Sequence, residues 1–142
     1  MEKYIKPKTE FAEGIAFHDS KIKSMKTVGK TLVMELENYH IIEKNGSYTD
    51  NCKVTFHDFD EDEFVSEFRV LSNKKYKDYR FSKLLKWLKK GKIKNPEIIH
   101  TYYNFSVILF CGVYYVDGKC KNFELRISYG GDMAVEYELD RK

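Results

Sequence analysis

The sequence lacks any long apolar run, and it is poor in the residues that staple small folds. Its longest apolar stretch is far shorter than the roughly 20 residues that a membrane-spanning helix needs, and its first residues contain no apolar core of a signal peptide. The three cysteines, Cys52, Cys111 and Cys120, are an odd number without CxxC spacing, which is typical of reduced thiols. We therefore expect a cytoplasmic protein.

Composition and length both indicate a folded chain. Two prolines, eight glycines and no low-complexity stretch accompany a hydrophobic content of 42% and an aromatic content of 15%, which excludes a disordered chain. A length of 142 residues suits one domain with a core of its own. We expect residues 1–142 to form a single domain in which residues 1–10 are loosely ordered.

The last third of the sequence has the pattern of antiparallel strands. Apolar and polar residues alternate in 123–129 and again in 133–139, which is typical of a sheet with one buried and one exposed face. Asp117-Gly118 and Gly130-Gly131 each predict a tight hairpin turn, since glycine tolerates positive φ. The nearly continuous apolar run 107–116 predicts a central strand that is covered on both faces.

Further strands are indicated earlier in the chain. Residues 20–28 and 31–39 alternate on either side of Gly29-Lys30 and predict a hairpin, and residues 53–59 predict a third strand. Residues 60–71 fit a helix or a strand, because the spacing of their apolar residues suits both, and we favour the strand.

The strongest helical pattern runs from Asp78 to Lys90. An apolar stripe at i, i+3, i+4 and i+7 spacing is formed by Phe81, Leu84, Leu85 and Leu88. Asp78 can cap the N-terminus, and Gly91 can end the helix in a left-handed conformation. We therefore predict an α+β fold, with an antiparallel sheet of about six or seven strands packed against one main amphipathic helix.

The formal net charge of +3 conceals an uneven distribution of charge. Residues 74–94 hold ten basic residues and one acid, a charge of +9, so that the rest of the chain carries −6. With Tyr79 and Trp87 interleaved, the predicted helix 78–90 can neutralise phosphates and stack on bases. A nucleic-acid-binding module that uses Lys83, Lys86, Trp87 and Lys90 is therefore one hypothesis, and a solvated helix face is the simpler alternative.

A second charged segment is acidic. Five acids lie within six residues: Asp58, Asp60, Glu61, Asp62 and Glu63. Such a segment can contact a basic partner, while a solubilising loop is the ordinary interpretation. A basic amphipathic helix can also bind an anionic membrane, but we expect its apolar face to be used on the sheet.

Two His-Asp pairs are the candidate catalytic or metal-binding residues. They belong to the repeated tripeptides Phe17-His18-Asp19 and Phe56-His57-Asp58, and imidazole with carboxylate can act as a general acid–base pair or bind metal. A small hydrolase or metal-dependent enzyme would need the two segments to be adjacent. The spacing matches no catalytic template, and a turn is the ordinary role of such a pair. We predict no catalytic residue, no metal site and no cofactor.

Tyrosine is abundant in the predicted strands of the last third. The set comprises Tyr102, Tyr103, Tyr114, Tyr115, Tyr129 and Tyr137. Alternation places some of these on the exposed face of the sheet, where tyrosine is a common anchor for protein partners. Half-buried tyrosines are equally ordinary in sheets.

The opening of the chain resembles a known group of proteins. Phe17-His18-Asp19-Ser20-Lys21-Ile22, followed by Val28-Gly29-Lys30 and by the strand 31–36, resembles a recurrent opening of small bacterial α+β proteins. Several of these are similar to immunity proteins of polymorphic-toxin or contact-inhibition systems. The resemblance implies a non-enzymatic cytoplasmic binder that blocks a cognate toxin, and it transfers no catalytic residue. The basic net charge departs from the acidic character common in nuclease inhibitors.

The leading hypothesis is thus a non-enzymatic protein-binding domain, an immunity-type inhibitor of a bacterial toxin. Its candidate contacts are the acidic segment 58–63 and the basic face of the predicted helix. Binding would depend on aromatic anchors, with charge steering the encounter.

Overall fold

The computed structural model describes residues 2–6, 15–17, 19–41, 48–60, 66–72, 74–103 and 106–137. Within them the chain forms twelve strands and one helix. The elements are β1 (Glu2–Lys6), β2 (Ile15–Ala16), β3 (Lys21–Val28), β4 (Thr31–Ile41), β5 (Tyr48–His57), β6 (Phe59–Asp60), β7 (Glu67–Ser72), β8 (Lys75–Arg80), α1 (Phe81–Lys90), β9 (Glu97–Tyr103), β10 (Val107–Val116), β11 (Lys119–Tyr129) and β12 (Met133–Tyr137).

The strands pair antiparallel in a single sheet. Their order is β1-β12-β5-β4-β3-β9-β10-β11-β7-β8, with β2 on β4 and β6 on β11. Because β6 continues β5 after the single residue Asp58 and pairs with the end of β11, the hydrogen-bonded order closes on itself. We call the strands β3, β4, β5–β6, β9, β10 and β11 the closed ring. Two further strand pairs leave it, β12 with β1 and β7 with β8.

The predicted α+β fold of six or seven strands is therefore wrong. Over the residues that the structure describes, the protein is predominantly β, with one short helix of ten residues. The difference arises at segments without an alternating apolar pattern, where pairing with a distant strand decides the structure. Residues 2–6 form β1 by pairing with β12, and residues 75–80 form β8 by pairing with β7.

Two of the predicted hairpins are confirmed. β3 and β4 pair across Gly29, which has a φ of 60°, and β10 and β11 pair across Asp117-Gly118, with φ values of 52° and 76°. The strand preferred for residues 60–71 is confirmed over 67–71, which belong to β7, while residues 61–65 lie outside the described residues. Asp and Gly tolerate the left-handed conformation that such tight turns need.

The hairpin predicted at Gly130-Gly131 is wrong. β12 pairs with β1 and β5 rather than with β11, and neither glycine has a positive φ. A Cβ atom on Gly130 would lie 2.6 Å from the Asp58 carboxylate, and one on Gly131 would lie 2.9 Å from the His57 side chain. Gly131 is needed because the backbone of His57 approaches it closely, which is a different use of glycine from a turn. At Gly130 the close atom is the end of the Asp58 side chain, which can move.

One hydrophobic core fills the sheet's inner face. Along β10 and β11 every second residue is buried, including Ile108, Phe110, Leu125 and Ile127. The alternate residues of β10 from Val107 to Val113 are half-buried. The prediction of full cover on both faces is thus wrong, because one face of β10 is only partly covered.

The helix is shorter than the sequence predicts. It begins at Phe81, after an extended Arg80 that makes no side-chain cap, and Asp78 lies in β8 instead of capping it. The predicted end is confirmed, since Gly91 is left-handed with a φ of 73° and its N–H donates to the Leu88 carbonyl. Phe81 and Leu84 are buried in the core, while Leu85 and Leu88 of the predicted stripe pack partly buried against it.

Candidate partner-binding groove

A groove lies where β8 passes directly into α1. No loop separates Arg80 from Phe81, so the end of the strand and the start of the helix flank the same space of about 790 Å³. Its cationic lining residues are Lys77, Arg80, Lys83, Lys86, Lys90 and Lys92. We call this space the basic groove.

Two aromatic rings form part of the wall of the basic groove. Tyr79 on β8 and Trp87 on α1 meet edge to face, with ring centroids 4.8 Å apart. Both rings also approach the buried ring of Phe68, at 6.4 and 6.5 Å between centroids. Each ring contacts the core through Phe68 and also contacts the other ring. Together these contacts fix the orientation of both half-buried rings.

Three lysines are held over these rings. The Lys83 ammonium lies 5.5 Å from the centroid of Tyr79 and 5.3 Å from that of Trp87. Lys92 lies 4.6 Å from the centroid of Trp87, and Lys77 lies 5.4 Å from that of Tyr79. Because cation–π attraction orients these ammonium groups, the groove presents positive charge that is already partly ordered before a partner arrives.

One acid, Asp78, lies among the residues that line the groove. The Arg69 Nε donates a hydrogen bond of 2.7 Å to its carboxylate, and this bond with the charge of Asp78 raises the pKa of Arg69. Arg69 also lies 3.7 Å from Glu67 and 3.8 Å from Glu124. Arg69 thus offsets part of the charge of Asp78, and among the described lining residues six cations accompany this one acid.

The structure brings together one of the two predicted sets of contact residues. Lys83, Lys86, Trp87 and Lys90 all line the basic groove. Lys77, Tyr79 and Arg80 reach the same space, and these residues of the basic segment 74–94 lie on β8, a strand that sequence reasoning did not predict. Residues 75–80 do not alternate between apolar and polar side chains, so no local signal separates them from the helix.

The acidic set is only partly described. Asp58 is exposed at the β5–β6 junction with a φ of 54°, and Asp60 belongs to β6. Glu61, Asp62 and Glu63 lie outside the described residues. Phe59 packs against Phe81, with ring centroids 4.9 Å apart, so the acidic segment begins close to the start of α1.

The two His-Asp segments do not form one site. The Asp19 N–H bonds to the Ile98 carbonyl before β3 begins, whereas Phe59, just after Asp58, bonds to Lys30 beyond the end of β3. The eight residues of β3 lie between them, a distance of roughly 25 Å at ~3.4 Å per residue. Asp19 and Asp58 are both left-handed turn residues, and His18 lies outside the described residues. Within the described part of the chain, no three possible ligands cluster to hold a metal ion.

The predicted tyrosine set is divided between core and surface. Tyr102 and Tyr115 are 58% and 66% exposed, whereas Tyr114 and Tyr129 are buried. The side chains of Tyr103 and Tyr137 lie outside the described set. Tyr102 and Tyr115 stand near opposite ends of the β9–β10 pair, so they do not form one continuous patch.

Comparison with known proteins adds no relative. The chain matches no protein-family model, no curated protein and no solved structure. In the part of the chain that the structure describes, no helix has the length and apolarity needed to cross a membrane. The resemblance to immunity proteins stays a prediction.

Proposed function

We propose that this chain is a non-enzymatic binding protein whose basic groove contacts a protein partner with an acidic face. One observation carries the proposal: six cationic side chains surround the ring pair of Tyr79 and Trp87. In line with the resemblance of residues 17–36, the partner we propose is a bacterial toxin that the chain neutralises in the cytoplasm as an immunity-type inhibitor.

The groove has the two features that protein interfaces use most. Tryptophan and tyrosine, held rigidly at a pocket wall, supply contact area at a small entropic cost and are enriched among residues that dominate binding energy. The surrounding lysines attract an acidic surface and accelerate encounter, an effect that weakens with added salt. The groove thus combines anchor and steering on one surface.

Nucleic acid is the second candidate partner, and the density of positive charge favours it. Six cations along one groove can neutralise several phosphates, which predicts a steep loss of affinity with salt. The placement of Lys83 and Lys92 over Trp87 favours an acidic protein face instead, since carboxylates can bind these ammonium groups in place, whereas stacked bases would have to displace them. One arginine, Arg80, stands among the six cations, so bidentate contacts to phosphate are few.

Capture from the lysate of the source organism tests the proposal when groove variants are compared. The bait is the full chain, either unchanged or as the double variant Lys83→Glu, Lys86→Glu, and the lysate is treated with nuclease. The matched control, Lys26→Glu with Lys119→Glu, makes the same charge change at two exposed lysines outside the groove. We expect one stoichiometric protein on the unchanged and control baits and at least about tenfold less on the groove variant, a difference of ~1.4 kcal/mol.

The captured protein is then purified and expressed in a host that lacks this chain. An inhibitor must relieve growth arrest caused by that protein, and the groove variant must fail to do so. Equal capture by all three baits would remove the groove as the contact. Recovery that disappears with nuclease would transfer support to nucleic acid, and a captured protein without toxicity would remove the inhibitor role while leaving the contact intact.

A further inference from the structure

The strand β8 is an edge of the sheet. It pairs with β7 along its whole length, from Lys75 with Ser72 to Arg80 with Glu67, and in the described residues it is the last strand in the order. Five of its six residues are exposed and Tyr79 is half-buried. An edge strand presents a row of N–H and C=O groups that can pair with another strand.

This edge strand also borders the basic groove. The four consecutive residues from Lys77 to Arg80 line the groove, and Lys83 and Lys86 line it from α1. In an added strand, alternate side chains point to opposite faces of the sheet. One set of side chains would therefore be presented to the cations while the backbone paired with β8.

We propose that the partner contributes an extended segment with acidic side chains, which adds to the sheet as a strand on β8 and places every second side chain in the basic groove. This inference rests on the proposed function and specifies the chemistry of the partner. In strand addition, main-chain hydrogen bonds supply affinity and pockets for alternate side chains supply specificity. The six residues of β8 offer roughly 20 Å of edge at ~3.4 Å per residue.

Lysine on the edge determines which segments can pair. Lys75 and Lys77 are exposed on β8, and lysine on an edge strand disfavours pairing with basic or purely apolar strands. An acidic strand converts the same charges into attraction, so the residues that prevent indiscriminate association also select the partner. Asp78 does not oppose this selection, because Arg69 bonds to its carboxylate.

A synthetic peptide of eight residues that alternates glutamate and valine provides the probe. Its binding to the full chain is followed by the fluorescence of Trp87, which is the single tryptophan of the sequence and lines the groove. Two N-methylated isomers carry the methyl groups on the glutamates or on the valines. Since successive N–H groups of a strand point to opposite edges, each isomer blocks one edge and keeps all charges.

Strand addition predicts that one isomer binds at least about tenfold more weakly than the parent peptide, while the other stays within about threefold. It also predicts slower hydrogen exchange of the β8 amides in the complex. If both isomers bind as tightly as the parent, pairing with β8 is wrong, while the groove remains the contact. If the parent peptide fails to bind, or if single-stranded DNA binds in its place, the inference is overturned.

The groove variant separates this inference from the proposed function. Lys83→Glu with Lys86→Glu must weaken the parent peptide, because the acidic side chains lose their cations. Unchanged binding to this variant, with one isomer still impaired, would show strand addition outside the groove. That result would contradict the proposed function, and the pairing inference as stated would fail with it.

Discussion

In the closed ring, aromatic residues such as Phe110 and Phe123 are buried among other apolar side chains, whereas in the arm formed by β7, β8 and α1 the rings of Tyr79 and Trp87 lie beneath lysine ammonium groups. The closed ring of strands gains stability from apolar burial. The arm keeps two large rings half-buried and exposes nearly all of β8. We therefore expect stability to depend mainly on the closed ring, and the arm is the region that we propose for binding.

The largest expected effect on stability lies in the closed ring of strands. Phe110 is fully buried, and its phenyl group meets that of Phe17 edge to face, with centroids 5.4 Å apart. Phe110→Ala removes that contact and leaves a cavity, so we expect the free energy of unfolding to fall by about 3–5 kcal/mol, measured by urea denaturation.

Val28→Ala is the control for this substitution, because Val28 is 61% exposed. Its expected effect is within about 0.5 kcal/mol. A loss of less than about 1 kcal/mol for Phe110→Ala would contradict the assignment of stability to the ring, since such a loss is typical of ordinary surface positions.

A smaller loss of stability is expected at a glycine of the closed ring that has no space for a side chain. A Cβ atom at Gly112 would collide with the Glu97 carbonyl and lie 2.9 Å from the Phe123 ring, at a β-bulge between β9 and β10. We expect Gly112→Ala to lower the free energy of unfolding by about 3 kcal/mol, because the Glu97 backbone and the Phe123 side chain must both move.

Gly118→Ala is the matched comparison. Nothing lies within 4 Å of a Cβ atom at that position, but its φ is 76°, so only the left-handed conformation is strained, at about 1 kcal/mol. Thermal or urea denaturation of both variants ranks them. Equal losses would show that the β-bulge adapts to a side chain, and the description of the closed ring as tightly packed at Gly112 would be wrong.

The sequence predicts the hairpins of the closed ring better than the strand pairs that leave it, for physical reasons. In β10 and β11 each residue's side of the sheet is encoded locally by alternation, so the strands and the Asp117-Gly118 turn are correctly predicted. The partner of β12 is not encoded locally. Gly130-Gly131 alone predicts a hairpin. This prediction fails because the two glycines approach His57 and Asp58, on a strand about 75 residues earlier.

The candidate site shows the same division. Charge and helical periodicity identified Lys83, Lys86 and Lys90 as one face, and these residues do line the groove. Tyr79 and Arg80 were assigned to the helix, because a lysine-rich segment without apolar alternation has no strand pattern of its own. Pairing with β7 makes it a strand, and that pairing depends on a tertiary contact.

A third prediction concerns how the stability of the closed ring changes at alkaline pH. Burial raises the pKa of the Cys52 thiol on β5 above its ordinary value. The folded state therefore keeps a proton that the unfolded chain releases above about pH 8.5. The contribution to stability is complete below that pH and is lost as the pH rises, with a slope of up to about 1.4 kcal/mol per pH unit.

Urea denaturation at pH 7 to 10 measures this slope. We expect Cys52→Ala to give a shallower decline between pH 9 and 10 than the unmodified chain. Burial also raises the pKa of Tyr114, so part of the decline above pH 10 will persist. Val28→Ala, which removes no ionisable group from an exposed position, should keep the original slope, and an identical slope for all three proteins would contradict the assignment to Cys52.

The smallest effect on stability is expected at the Arg69–Asp78 ion pair, which joins β7 to β8. Both side chains are more than a third exposed, so we expect Arg69→Gln to change the free energy of unfolding by at most about 1 kcal/mol. Its effect on binding should be clearer. Without Arg69 the carboxylate of Asp78 faces the groove uncompensated, and affinity for the acidic peptide should fall about threefold, or ~0.6 kcal/mol.

Asp78→Asn tests the same argument in the opposite direction. It removes the negative charge from the groove, so affinity should rise, and adding Arg69→Gln to Asp78→Asn should then cost less than Arg69→Gln costs alone. This double-mutant cycle isolates the coupling between the two side chains. If Arg69→Gln instead lowered stability as much as Phe110→Ala and left affinity unchanged, the pair would belong to the stabilising framework. The arm would then share the structural role of the ring, and the comparison between them would fail.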